Sequence, residues 1–258
     1  MNILIFKLVV TPLLIGAVSL AGRRWGSAVG GVLVGLPLTS GPVVLFLALD
    51  HGLAFASAAT TGILAGTISV GAFCLTYGWL ALRFNWRLAV LGSWLVFLAC
   101  TWALQVLALP LVWTCVWSVA ALVLVLWLMP RSTIDAVSTV AAWWDIPARM
   151  VLATGIVVLI TEVAPVLGPH LSGLLAPFPI FATILAAFTH HFEGPAAAVR
   201  VVRGVALGLA AFAAFFVVVA VLLLPGGIAV TFVAASMVAV AMQIVSLWWT
   251  TRQRHSVS

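Results

Sequence analysis

GLPLTSGP, Gly35 to Pro42, interrupts an apolar run that is otherwise long enough to cross a bilayer. Two prolines, two glycines and two hydroxyl residues in eight positions cannot continue a regular helix. Each proline lacks an amide donor, and its ring collides with the preceding turn. The centre of the run 26–49 falls near Leu38, so the interruption sits at mid-membrane depth. Irregular backbone survives there only when buried in protein or lining a cavity.

The rest of the chain supports reading that run as membrane-embedded. Of 258 residues, 65% are hydrophobic and 6% charged, too little polar cover for a water-soluble surface. The apolar runs are continuous over about 20 residues rather than alternating at period two, which selects helices over a barrel. An isoelectric point near 10.7 then reflects topology signals at helix ends, and nucleic acid is not an expected partner. In the N-terminal segment Arg23 and Arg24 follow the apolar core, the reverse of a signal peptide, so a retained first helix is expected. Cys74, Cys100 and Cys115 lie in apolar runs without metal-ligand spacing, and buried packing is their expected role.

Hydropathy and punctuation together predict nine spans, at 3–21, 26–49, 53–82, 88–109, 111–129, 149–168, 171–190, 200–224 and 227–249. With the N-terminus outside, ten of the eleven basic residues fall on inner segments and only Lys7 lies towards the outer side. That segregation predicts a cytoplasmic C-terminus. The inner segment 131–148 spaces Ile134, Val137, Val140 and Trp144 as an interfacial helix would, although a loop with tryptophans at headgroup level fits as well.

A shift of 142 residues lays Gly26 on Gly168, Gly31 on Gly173, Gly52 on Gly194, Gly62 on Gly204 and Gly66 on Gly208, and Pro37 on Pro179. Chance would match about one glycine over that window, so the pattern reads as an internal duplication. Residues 1–110 and 149–258 are then two four-helix repeats, and 111–148 a linker helix plus the interfacial segment. Five spans separate each helix from its copy. An odd number inverts the second unit, an arrangement common in alternating-access transporters with the site between the repeats. The fold expected is an all-α integral membrane protein of nine transmembrane helices.

The stretch SGLLAPFPIFATILAAFTHHFEGPAAAVRVVRG, Ser172 to Gly204, resembles the GlpM family of small bacterial inner-membrane proteins, which are single four-helix units. VGGVLVGLPLTSGPVVLFLALDHG, Val29 to Gly52, resembles a related small family carrying an ALPLTS-like segment. The resemblance implies a fused pair of such units in the bacterial inner membrane. It does not reach the fifth span, and Asp50 with His51 stand where the second unit has Phe192 with Glu193.

Broken helices facing each other near the midplane would offer a ligand Pro37, Thr39, Ser40 and Pro42 from one unit and Pro179 and Thr183 from the other. The alternative is a pair of proline kinks whose hydroxyls satisfy the freed backbone. Glu162 is the acid deepest in an apolar span, which makes it the candidate for proton coupling, unless it reaches water at the outer interface. Arg200, Arg203, His190 and His191 cluster at an inner helix end, as contacts to an anion or headgroup or as snorkelling anchors. Gln105 and Gln243 suit helix–helix hydrogen bonds, and the GxxxG steps at Gly62–Gly66 and Gly204–Gly208 suit close helix approach.

No nucleophile–base pair, zinc motif or phosphate loop is present, so neither an enzyme nor a metal or other cofactor is expected. The leading expectation is a secondary transporter or exporter of a small molecule. A passive channel and a non-transporting accessory protein of an envelope pathway are the alternatives, and a homo-oligomer stays open. Lipid and a small-molecule substrate are the expected partners.

Overall fold

The computed structural model describes residues 3–37, 40–107, 109–130, 144–156, 158–159 and 178–255. These form helices α1 (Ile3–Trp25), α2 (Ser27–Val34), α3 (Ser40–His51), α4 (Leu53–Ala81), α5 (Trp86–Leu107), α6 (Leu111–Leu128), α7 (residues 145–156), α8 (Ile180–Glu193) and α9 (Pro195–His255). No strand occurs among the described residues. Glu162, Thr39, residues 131–143 and most of the first half of the seventh expected span lie outside them.

Helix ends follow local chemistry. The Asn85 side chain accepts the Leu88 amide at 3.0 Å and caps α5. Pro110 opens α6, where a missing amide donor costs nothing. Helix α7 begins at 145, four residues before the expected 149. Asp145 favours a helix start through the dipole, and Arg149 Nε binds it one turn later at 2.9 Å.

α9 has 61 residues; a straight helix of that length would measure about 90 Å. It does not run straight. Pro225 lies in it, and Gly227 adopts φ 68°, a left-handed value suited to glycine, at which the chain folds back. The Phe215 and Phe232 rings stand 6.0 Å apart, whereas a continuous helix would separate them by about 25 Å. Ser246 Oγ likewise donates to the Leu207 carbonyl at 3.3 Å. α9 is thus a helical hairpin with an outgoing and a return limb.

The outgoing limb of α9 is the centre of the bundle, flanked by α2, α4, α6 and α8. One core cluster joins Phe73 and Tyr77 of α4, Phe97 of α5, Leu122 of α6, Leu185 of α8 and Val202 of α9. A second joins Val44, Ala56 and Leu64 to Phe216, Leu223 and Ala235. Glycines set the closest approach. A methyl on Gly204 would overlap the Ala28 carbonyl oxygen, and one on Gly31 the Val201 carbonyl oxygen, so α2 and α9 meet backbone to backbone.

Among the described residues, four helices are long and apolar enough to span a membrane: Leu53–Ala81, Trp86–Leu107, Leu111–Leu128 and Pro195–Trp248. Their outward faces carry large apolar side chains, among them Leu95, Trp102, Val112 and Trp127, the last 76% exposed. Water would disfavour so broad an apolar surface, and lipid suits it. Basic residues collect at one end of the bundle. Arg23 of α1 reaches Asp145 of α7, Trp144 meets Phe192 of α8 edge to face, and His191 meets Trp86 beside Arg83 and Arg87.

Candidate functional site: two helix breaks and a buried charge cluster

The first break is where the proline chemistry puts it. α2 ends at Val34, residues 35–37 are non-helical, and α3 restarts at Ser40. Pro42 falls in the first turn of α3, where a proline is tolerated, so it does not itself open the helix. At the second proline site Phe178 and Pro179 are non-helical ahead of α8, and the residues before 178 lie outside those described. Both prolines serve as backbone acceptors for the new helix. Pro37 O accepts the Gly41 amide at 2.9 Å, and Pro179 O accepts the Thr183 amide at 2.8 Å.

Those two bonds lie 142 residues apart, and so does a second pair. Gly52 (φ 87°, ψ 166°) and Gly194 (φ 89°, ψ 175°) adopt the same left-handed extended turn. Their carbonyls accept the Ala56 and Ala198 amides, each at 3.2 Å. The helix between break and turn is α3 in one case and α8 in the other.

Several polar groups at these sites have protein partners. Val32 O accepts both the Gly35 amide at 3.2 Å and Gln243 Nε2 at 2.8 Å, and Leu33 O accepts the Leu36 amide. Thr183, 6% exposed, accepts a bond from Trp94 Nε1 at 3.1 Å. Phe178 packs against Trp94 and Phe97 at 5.2 and 5.5 Å, so an aromatic wall covers the second break. At the first, the Phe215 ring lies against Gly41.

Gln243 carries a further feature that helix–helix bonding did not signal. It is 5% exposed, and its Oε1 has no hydrogen-bond partner among the described residues. A buried amide acceptor left open beside a helix break is suited to a donor on a ligand. Trp94 was also hidden in the sequence; its only signal is that an indole N–H inside an apolar span needs an acceptor. Trp94→Phe keeps the ring and removes the donor. It is expected to destabilise the protein by about 1 kcal/mol, a fall in the thermal midpoint of about 2–4 °C, read by thermal unfolding in detergent.

At the basic end the structure separates the four residues grouped by sequence. His190 is buried with Nδ1 3.4 Å from Tyr77 Oη, whereas His191 is exposed against Trp86. Arg203 Nη1 donates to the carbonyls of Leu126 and Met129 at 3.3 and 3.4 Å, closing the C-terminal end of α6. Arg200 acts on Glu193, a member of the charge cluster that the fold does assemble here.

That cluster is Arg23, Asp145, Arg149 and Glu193. Asp145 is 2% exposed and takes Arg149 Nε on Oδ1 at 2.9 Å and an Arg23 guanidinium nitrogen on Oδ2 at 2.7 Å. The Arg149 guanidinium also lies 5.2 Å from the Phe188 ring centre. Burial, the largest influence, pushes the Glu193 carboxyl above its ordinary range; Arg149 opposes it, Asp145 adds to it, and Arg200 and Arg23 oppose it. The sequence signal for this cluster was the Asp–Arg spacing of one helical turn at Asp145 and Arg149, but nothing linear joined them to Arg23 or Glu193.

Protein-family models, curated proteins and solved structures contain no match to this chain. Function is therefore argued from its own residues.

Proposed function

We propose that this protein is a secondary transporter or exporter of a small molecule, made of two inverted four-helix units of GlpM-like type joined by α6. Its substrate site lies between the two helix breaks near the midplane, with Pro37, Thr39, Ser40 and Pro42 on one side and Pro179 and Thr183 on the other. The observation that supports this reading is the recurrence, 142 residues apart, of the same proline-preceded helix start and the same glycine turn. Paired interruptions related by duplication are the usual substrate site of inverted-repeat transporters. Gln243, with its open acceptor, joins the site from the return limb of α9.

In this reading nine helices cross the bacterial inner membrane, the N-terminus is outside, and the basic end is cytoplasmic. Glu162 is the coupling carboxyl. The closed partners of Val32 O and Thr183 describe a conformation in which the breaks are sealed, and transport requires Gln243 and Trp94 to exchange them for substrate. One observation favours a second reading, an accessory membrane protein: those same partners would also make the breaks permanent kinks.

Flux measurement separates the two. Proteoliposomes holding the full chain are loaded with a panel of small metabolites and an internal pH dye, wild type beside Glu162→Gln. Saturable, substrate-dependent proton movement is expected, falling at least about tenfold in the variant, equivalent to about 1.4 kcal/mol or more. Absence of flux with every compound, in protein that unfolds cooperatively, overturns transport in favour of the accessory role. Unsaturable conductance would instead establish a channel.

A further inference from the structure

Asp145 spends both carboxylate oxygens on Arg149 and Arg23. The charge of those arginines is therefore largely engaged before Glu193 is reached. Beside this triad lies a cavity of about 10 Å³ lined by Ser19, Arg23, Arg149, Thr189 and Glu193. A cavity of that size has room for about one water. Ser19, only 3% exposed, contributes a hydroxyl with no hydrogen-bond partner among the described residues. A buried hydroxyl with no partner among the described residues, on a residue lining this cavity, is suited to a bound water or ion.

The lining narrows the ligand. The Arg23 and Arg149 guanidiniums repel a metal cation, and an ionised Glu193 repels an anion. We propose that the cavity is a proton-binding site: the Glu193 carboxylate takes up one proton at the basic end of the bundle, and a single water links the resulting carboxylic acid to the Ser19 hydroxyl. No bond other than that O–H forms, and the local charge rises by one. The groups acting on Glu193 are Arg23 from α1, Asp145 and Arg149 from α7, and Arg200 from α9; His190 and His191 precede it on α8.

Burial raises the affinity of Glu193 for its proton more than the arginines lower it. The folded protein then binds this proton more tightly than the unfolded chain does. Stability consequently falls as pH rises from about 4.3, the unperturbed value, through the folded midpoint. As an inner proton station opposite Glu162 the site rests on the transport reading; proton binding itself does not.

Infrared difference spectra of the full chain in lipid nanodiscs, titrated with pH, read the carboxyl directly and need no substrate. A protonated-carboxyl band with a midpoint above about 4.3 is expected, lost in Glu193→Gln, retained in Glu162→Gln and displaced in frequency in Glu193→Asp. If Glu193→Gln does not fold, the Glu193→Asp displacement decides. A band unchanged by both Glu193 variants, or a midpoint at or below about 4.3, overturns the proposal. So does a midpoint that moves when chloride is replaced by gluconate, which would mark an anion site. A positive band without flux in liposomes leaves proton binding standing and removes transport; flux without the band does the reverse.

Discussion

Gly204→Ala is expected to leave no stably folded protein. One methyl there would overlap the Ala28 carbonyl oxygen and come within 3.0 Å of the Ala28 carbonyl carbon and the Val32 amide nitrogen. All three are backbone atoms, so no rotamer change relieves the clash, and α2 must move away from the helix that centres the bundle. Ordinary overpacking costs about 1–3 kcal/mol and yields by shifting side chains; a clash confined to backbone should exceed about 3 kcal/mol. Gly62→Ala is the matched control, 142 residues away in the same GxxxG pattern. Gly62 is exposed, and among the described residues nothing lies within 4 Å of a methyl placed there. Thermal unfolding and size-exclusion profiles in detergent should show loss of the monodisperse protein for the first variant and none for the second. Equal behaviour of the two would contradict the α2–α9 packing.

Asp145→Asn is the second large effect. The substitution keeps the shape but removes the carboxylate that two guanidiniums bind, one of them, on Arg149, with its side chain only 5% exposed. Removing one partner of a buried ion pair costs about 3–5 kcal/mol. Asp145→Asn combined with Arg149→Gln removes the more deeply buried of the two guanidiniums and should recover part of the loss. The two changes therefore should not add. Midpoints that add within error would mean that Asp145 and Arg149 act separately. The cluster ties α1, α7 and the end of α8 together, so both variants report on the basic end of the molecule rather than on the breaks.

Much of the architecture was legible because membrane chains punctuate themselves strongly. GLPLTSGP interrupts its helix because proline and glycine admit few alternatives, and Gly52 and Gly194 mark turns whose φ values a side chain would strain. The α9 hairpin was readable at Pro225–Gly226, one residue from the observed turn at Gly227. Partners across the fold were much less legible. Gly62 and Gly204 open GxxxG motifs that look alike, yet a methyl on Gly62 meets nothing within 4 Å among the described residues, whereas one on Gly204 meets backbone. Whether a small residue is filled in by a neighbour depends on which helix faces it, and spacing along one helix carries no such information. Trp94 with Thr183, Gln243 with Val32, and Arg23 with Asp145 pair residues too distant for any local pattern to join. Arg203 shows the converse. A basic residue at a helix end suggested an anion, whereas part of its guanidinium closes a neighbouring helix.

If two units of common origin lie inverted in one membrane, as proposed, positions 51 and 191 face opposite sides of it. In a chain with Cys74, Cys100 and Cys115 replaced by serine, His51→Cys and His191→Cys are labelled separately with an impermeant maleimide, in sealed vesicles of each orientation. Position 51 is expected to react only from the outside and position 191 only from the cytoplasmic side. Reaction of both from the same side would contradict it.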